Sequence, residues 1–142
     1  MALSGATAFT LVLVLTGFLL CCFAEHKNLK GGWRRQNQTS DEHYHSLAHF
    51  AVAKQVDGRE FFDTVLEITD VETQTVAGTN YRITFKTTES TCLVTETYSR
   101  EHCRPKTQEV KDICTTVIYD VPWLNETSVT SYTCGTNAPS ST

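Results

Sequence analysis

The chain has 142 residues and a formal net charge of −4, with 20% of its residues charged. A mildly acidic chain without a run of Lys and Arg is not built to hold nucleic acid, whose phosphates demand a basic patch. Its length allows one domain with a modest core, and not two.

No charged side chain occurs in residues 1–24. Residues 9–23 form an apolar run closed by Phe23-Ala24, with small Cys22 and Ala24 placed as at a signal-peptidase site. The segment predicts a signal peptide over 1–24, export, and one mature domain over 25–142 with no membrane contact after cleavage. The leader lacks a basic n-region, so an uncleaved anchor is the competing reading, since an uncharged stretch this long can span a bilayer. Lys27, Lys30, Arg34 and Arg35 just downstream argue against it, because they would hold the remainder in the cytoplasm and leave its cysteines reduced. Lipid attachment at Cys21 or Cys22 is disfavoured by Leu20, which is not the small residue expected before a lipidated cysteine.

Residues 25–38 are polar, with a Gly31-Gly32 pair, and predict a mobile arm over 25–32 that leads into a first strand near Trp33-Arg34. Thr39-Ser40-Asp41-Glu42 has capping-box spacing and predicts a helix starting there, with Thr39 as its cap. Tyr44, Leu47, Ala48 and Ala51 recur at helical period, Phe50 and Ala53 widen the stripe, and Asp57-Gly58 supplies the stop. Beyond Gly58 the period falls to two. Leu66 and Ile68 share one parity and Val71 takes the other, which predicts a bulge near Thr69-Asp70. Gln74-Thr75-Val76-Ala77-Gly78 reads as a projecting hairpin turn with a narrow, uncharged Val76-Ala77 tip and with Gly78 free to take positive φ. Tyr81, Ile83 and Phe85 alternate with polar neighbours as the returning strand. Residues 110–121 are β-rich up to Pro122-Trp123, residues 128–134 supply a last strand, and residues 135–142 form a frayed Ser/Thr-rich tail. One helix across a curved antiparallel sheet of four or five strands buries both apolar faces, an α+β layout.

Export leaves four cysteines, Cys92, Cys103, Cys114 and Cys134, in an oxidising compartment where disulfides are the default, with three pairings open. A zinc site is the rival use, but no CxxC pair is present. His45-Ser46-Leu47-Ala48-His49 has the two-histidine spacing of a zinc protease without its glutamate, so His43, His45 and His49 read as solvated helix residues. A Cys-His nucleophile is disfavoured because bridged cysteines offer no thiolate. Nothing fixes the geometry of a two-histidine hydrolase using His102. Neither metal nor cofactor is expected, and no enzymatic activity.

The Gln74 to Gly78 turn, Gly31-Gly32 near the start, Pro122-Trp123 near the end and the four cysteines together resemble the secreted type 2 cystatins, inhibitors of papain-like cysteine proteases. The similarity runs from Gly31 to Cys134; Val76-Ala77-Gly78-Thr79-Asn80-Tyr81 is especially close, and Gly31-Gly32-Trp33-Arg34 is similar to the cystatins of ticks. The resemblance implies a cystatin fold with sequential disulfides, Cys92–Cys103 and Cys114–Cys134, and a monomer whose partners are cathepsins of the L, S, B and C type. It also implies three elements on one edge. Gly31 or Gly32 would let the arm pass the catalytic cysteine, while the Gln74, Thr75, Val76, Ala77 and Gly78 turn and the Pro122-Trp123 loop would fill primed subsites. A Cβ at the glycine would crowd the groove wall, Trp123 is a large amphipathic anchor, and Pro122 stiffens its loop. Gln74 has two readings, a protease contact or an amide that holds the hairpin.

Two departures from the family pattern stand out. Lys30 occupies a position that is apolar in many relatives, so its ammonium would lose hydration in an apolar subsite. Residues 57–60 lack the Ser-Asn-Asp segment through which some relatives inhibit legumain. Asn37 and Asn125 open sequons; Asn37 precedes the helix, whereas a glycan on Asn125 would crowd the Trp123 edge. The alternative class is a cystatin-fold module that binds a receptor, microbe or immune cell without inhibiting a protease.

Overall fold

The computed structural model describes residues 31–136. The leader, most of the arm including Lys30, and the tail beyond Thr136 lie outside the described residues. A two-residue strand β1 (Arg34–Arg35) is followed by helix α1 (Glu42–Ala53) and four long strands: β2 (Phe61–Thr75), β3 (Thr79–Leu93), β4 (Asp112–Val121) and β5 (Glu126–Thr136). The five strands form one antiparallel sheet in chain order, with α1 against one face.

Helix α1 begins two residues later than a Thr39 box would start it. Its cap is Asp41, whose carboxylate accepts from the His43 N–H at 2.8 Å. Asp is as good a cap as Thr, and here its extended φ and ψ already turn the chain into the first helical residue. The helix ends at Ala53, four residues before Asp57, because Lys54 and Gln55 donate to Ala51 and Val52 in a closing turn; Gly58, at φ +69°, redirects the connection further on. Leu47, Ala48, Ala51 and Val52 are buried, while Phe50 sits at the margin beneath the Lys54 ammonium. The packing stripe thus shifts from Phe50 to Val52, whose branched side chain fits closer to the sheet.

Strand β2 carries the predicted bulge between Ile68 and Asp70, and a second one between Val65 and Glu67. On β3 the inward residues Ile83, Phe85 and Thr87 are two apart, but their partners on β2, Val71, Ile68 and Val65, are three apart. Each extra residue bends the strand and keeps an apolar side chain beneath the helix. The second bulge puts Val65 in the core in place of Leu66, which is only half buried.

The disulfides are Cys92–Cys103 and Cys114–Cys134. Cys114 and Cys134 are direct cross-strand partners on β4 and β5, so this bridge pins the register of the edge strand. β5 continues through Gly135 to Thr136, two residues past the predicted fraying point, because Ile113 and Asp112 extend the ladder there. In the chain-entropy model loops of these lengths each contribute about 3 kcal/mol.

His49 overturns the solvated reading of the helix histidines. It is only 8% exposed, and its Nδ1 lies 2.5 Å from the Tyr98 hydroxyl, which also meets Thr64 Oγ1 at 3.1 Å. Burial first, then the nearby Arg100 and His45 charges, push its pKa down to about 4, against a smaller upward pull from Glu42 and Glu101. The unfolded chain takes up this proton first as pH falls through the ordinary histidine range. The stability that His49 lends is therefore complete above about pH 6.5 and lost between there and about pH 4, at most on the order of 3 kcal/mol. Urea unfolding from pH 7.5 to 4.5 should show a flatter pH dependence for His49→Gln than for the natural chain; parallel curves would refute this.

Candidate functional site

Strand order brings the three sequence-predicted elements together. Thr75 pairs with Thr79 to close the first hairpin, and Thr79 pairs in turn with Asp120, just before Pro122. Arg34 pairs with Thr73, which sets Gly31 and Gly32 beside the same hairpin. Arm, first hairpin and second hairpin consequently share one rim of the sheet, although about 90 residues of chain separate Gly31 from Trp123.

Each element is braced from within the fold. Across the first hairpin the Val76 N–H donates to the Gly78 carbonyl at 3.0 Å, and Asn80 Nδ2 donates to Gln74 Oε1 at 3.0 Å. Gln74 is half buried and its amide is engaged across the hairpin, which favours the holding role over a partner contact. The Tyr119 hydroxyl of β4 donates to the Ala77 carbonyl at 3.1 Å, tying the tip of one hairpin to the stem of the other. Gly78 has the expected positive φ, +158°, which residues with a side chain rarely adopt, and it is needed for a second reason: a Cβ would stand 2.8 Å from the Asp120 carbonyl and 2.9 Å from Val121 Cγ2. Close approach of β4 excludes a side chain there.

The second hairpin is a single 3-10 turn, Pro122–Leu124, with Pro in its first turn and Asn125 as its left-handed cap at φ +52°. Asparagine tolerates this conformation better than other non-glycine residues. The Asn125 N–H donates to the Pro122 carbonyl at 3.1 Å, and Thr127 Oγ1 donates to the buried Asp120 carboxylate at 2.6 Å. Both outer positions of the second sequon are thereby used by the turn itself. Behind the rim, burial and then the Asp120 charge raise the Tyr81 hydroxyl's pKa, so it stays a neutral donor.

What the rim shows to solvent is apolar. Trp123 is 70% exposed, Leu124 63% and Val76 46%. Trp123 therefore does not plug its own hairpin. Leu124 was not singled out by sequence reasoning; it lies past the Pro-Trp pair, and only its place in the 3-10 turn brings it out beside Trp123. The glycine pair is asymmetric: a Cβ on Gly31 would run into the Thr75 carbonyl, whereas one on Gly32 meets nothing within 4 Å. Gly31 thus serves the fit of the arm against its own hairpin. Asn37 is exposed ahead of α1. Among the described residues no group of three or more His, Cys, Asp or Glu side chains is arranged to hold a metal ion.

A helix laid on a five-stranded antiparallel meander, closed by two sequential disulfides and ending in a rim of a glycine arm and two braced hairpins, defines a protease-inhibitor scaffold. The family model of the cystatin domain matches residues 31–123, and the chain belongs to the cystatin family of cysteine protease inhibitors, which are not enzymes. It is 52% identical over 109 residues to mialostatin of Ixodes ricinus, covering 75% of this chain and 76% of that protein. It is 42% identical over 131 residues to salivary cystatin-L2 of Ixodes scapularis, covering 90% and 96%. The crystal structure of mialostatin, a gut cystatin of that hard tick, superposes with a TM-score of 0.72 at 48% identity over 74% of this chain and 98% of that one. The salivary cystatin of the soft tick Ornithodoros moubata gives 0.71 at 49% identity over 74% and 97%.

Proposed function

We propose that this protein is a secreted, reversible, competitive inhibitor of papain-like cysteine proteases of the cathepsin L, S, B and C type, acting as a monomer through the rim just described. The observation that carries this reading is the convergence of Gly32, the Val76-Ala77 tip and Trp123 on one edge, each exposed, with both hairpins held by bonds within the fold. A substrate is cut when a flexible peptide lays its carbonyl against the active-site thiolate. Here the approaching segments are a glycine-flanked arm and two turns fixed by Tyr119, Asn80, Asp120 and Asn125, so the groove fills without a carbonyl presented in an extended strand. Rigid loops also lose little conformational freedom on docking, which leaves more of the buried apolar area as net affinity.

The roles divide by chemistry. Gly32 passes nearest the catalytic cysteine and the residues before it occupy unprimed subsites, including Lys30. Val76 and Ala77 enter the primed side as a slim uncharged wedge, with Thr75, Gly78 and Gln74 holding its shape. Trp123 provides the large anchor, Leu124 extends it, and Pro122 fixes the turn. Secretion with removal of residues 1–24 accords with the salivary and gut relatives and with the oxidised cysteines.

Titration of the disulfide-bonded protein against active-site-titrated cathepsins L, S, B and C tests the proposal, and full activity of all four at micromolar inhibitor would end it. In the same panel legumain should remain active, because residues 57–60 at the far end of β2 lack the relatives' Ser-Asn-Asp segment. Lys30→Val should inhibit cathepsin L more tightly by relieving a dehydrated ammonium; identical constants would argue against that placement. A glycan on Asn125 would stand two residues from Trp123, so a glycosylated form should bind more weakly than Asn125→Asp, which keeps a residue tolerant of the left-handed cap. Mass spectrometry with inhibition constants for both forms checks this, and equal affinity of an occupied form would count against the docking geometry.

A further inference from the structure

The two-residue strand β1 is a weak tether for an arm that must arrive at the rim in one orientation, and both of its residues are exposed. A second tether stands just before it. Trp33 has the parity of Arg35, which places both on the sheet face opposite the helix, in line with Glu72 and Arg82. The Arg82 guanidinium carbon lies 3.9 Å from the centroid of the Trp33 ring, and Arg82 Nη1 donates to Glu72 Oε2 at 2.8 Å. Glu72 thus holds the guanidinium flat while the indole lies on it, an arrangement that suits the negative face of the ring. The chain on the other side of β1 is fixed separately, by the Gln36 N–H on the Val71 carbonyl at 2.8 Å and Gln36 Nε2 on Thr73 Oγ1 at 2.8 Å.

We infer that Trp33 is a positioning residue for the arm: its stack on Arg82, buttressed by Glu72, sets the direction in which Gly32 and Gly31 leave the sheet. The inference rests on the inhibitory reading of the rim for its consequence, but not for its geometry. Trp33 is one residue from Gly32, so a loosened indole frees the backbone where the arm passes along the Thr75 carbonyl. Ordering a loosened arm on docking then costs affinity, while the packed core beneath β2 and β3 is untouched.

Four variants of the full chain, expressed with its leader and oxidised, decide the matter: Trp33→Ala, Trp33→Phe, Arg82→Gln and the double variant of Trp33→Ala with Arg82→Gln. Against papain, Trp33→Ala and Arg82→Gln should each raise the inhibition constant about fivefold, the double variant no more than either alone, and Trp33→Phe less than about twofold. By 15N relaxation, the heteronuclear NOE of the Gly31 and Gly32 amides should fall in Trp33→Ala while those of Leu47, Ala51 and Val52 stay high. Additive losses in the double variant, or glycine amides as rigid in Trp33→Ala as in the natural chain, overturn the inference. If the natural chain leaves papain active, the inhibitory reading fails and the relaxation result alone judges the tether.

Discussion

Trp123→Ala should weaken inhibition of a cathepsin L-type protease by roughly 30-fold or more while leaving the unfolding midpoint unchanged. The two halves of this expectation have separate causes. Trp123 is 70% exposed and touches little of its own fold, so truncation removes few internal contacts and belongs to the surface class of substitutions, within about 0.5 kcal/mol. In a protease groove the same indole would be buried on all sides, and central aromatic anchors of that kind cost about 2 kcal/mol or more when truncated. The loss should fall on the dissociation rate, because no charge that steers encounter has changed. A parallel Leu124→Ala variant should lose less, its side chain being smaller and at the shoulder of the turn. A Trp123→Ala protein of unchanged stability whose inhibition constant moves by less than about threefold would remove Trp123 from the anchor role.

Asp63→Ala should destabilise the domain by about 3 kcal/mol without altering inhibition by the fraction that remains folded. Asp63 is 1% exposed on β2, with Arg59 on one carboxylate oxygen and Lys111 Nζ at 3.0 Å from the other. One carboxylate thereby joins the helix-to-strand connection, the second strand and the segment leading into β4. Its removal leaves two cations without their shared partner, and the penalty is that of the stranded charges rather than the worth of the pair. Because Arg59 and Lys111 each keep some solvent access, the cost sits at the low end for a broken buried ion pair. Such a loss is a large part of the stability of a domain this size. Urea unfolding measures it, and a change below about 1 kcal/mol would mean that the cluster is hydrated in solution. Inhibition should survive because Asp63 lies at the far end of β2 from Thr75.

These two residues also mark what could be read without a fold. Trp123 was legible through the family resemblance, which put the Pro-Trp pair on the rim, while its exposure came from the structure. Asp63 was not, because its partners lie four and 48 residues away and nothing in a local pattern announces a buried carboxylate. His49 failed in the same way: its partner, Tyr98, comes from a disulfide-bonded loop 49 residues on, so helical spacing alone placed it in water. Val65 and Leu66 exchanged places because a bulge changes parity, and parity is all that a strand pattern offers.

By itself, the sequence determined the element types, their order and the local turns, since these depend on neighbours three or four residues apart: the amphipathic face of α1, the alternation of Tyr81, Ile83 and Phe85, and the Val76-Ala77 tip. Likeness to a known family supplied the disulfide pairing and the grouping of the three rim elements. Tertiary structure alone decided what stands against Gly31 and Gly78, which histidine is dry, where Asp63 finds its cations, and how Trp33 reaches Arg82. Each of those depends on a backbone or charge from a distant strand, and such distances become short only once the bulged sheet has closed on its helix.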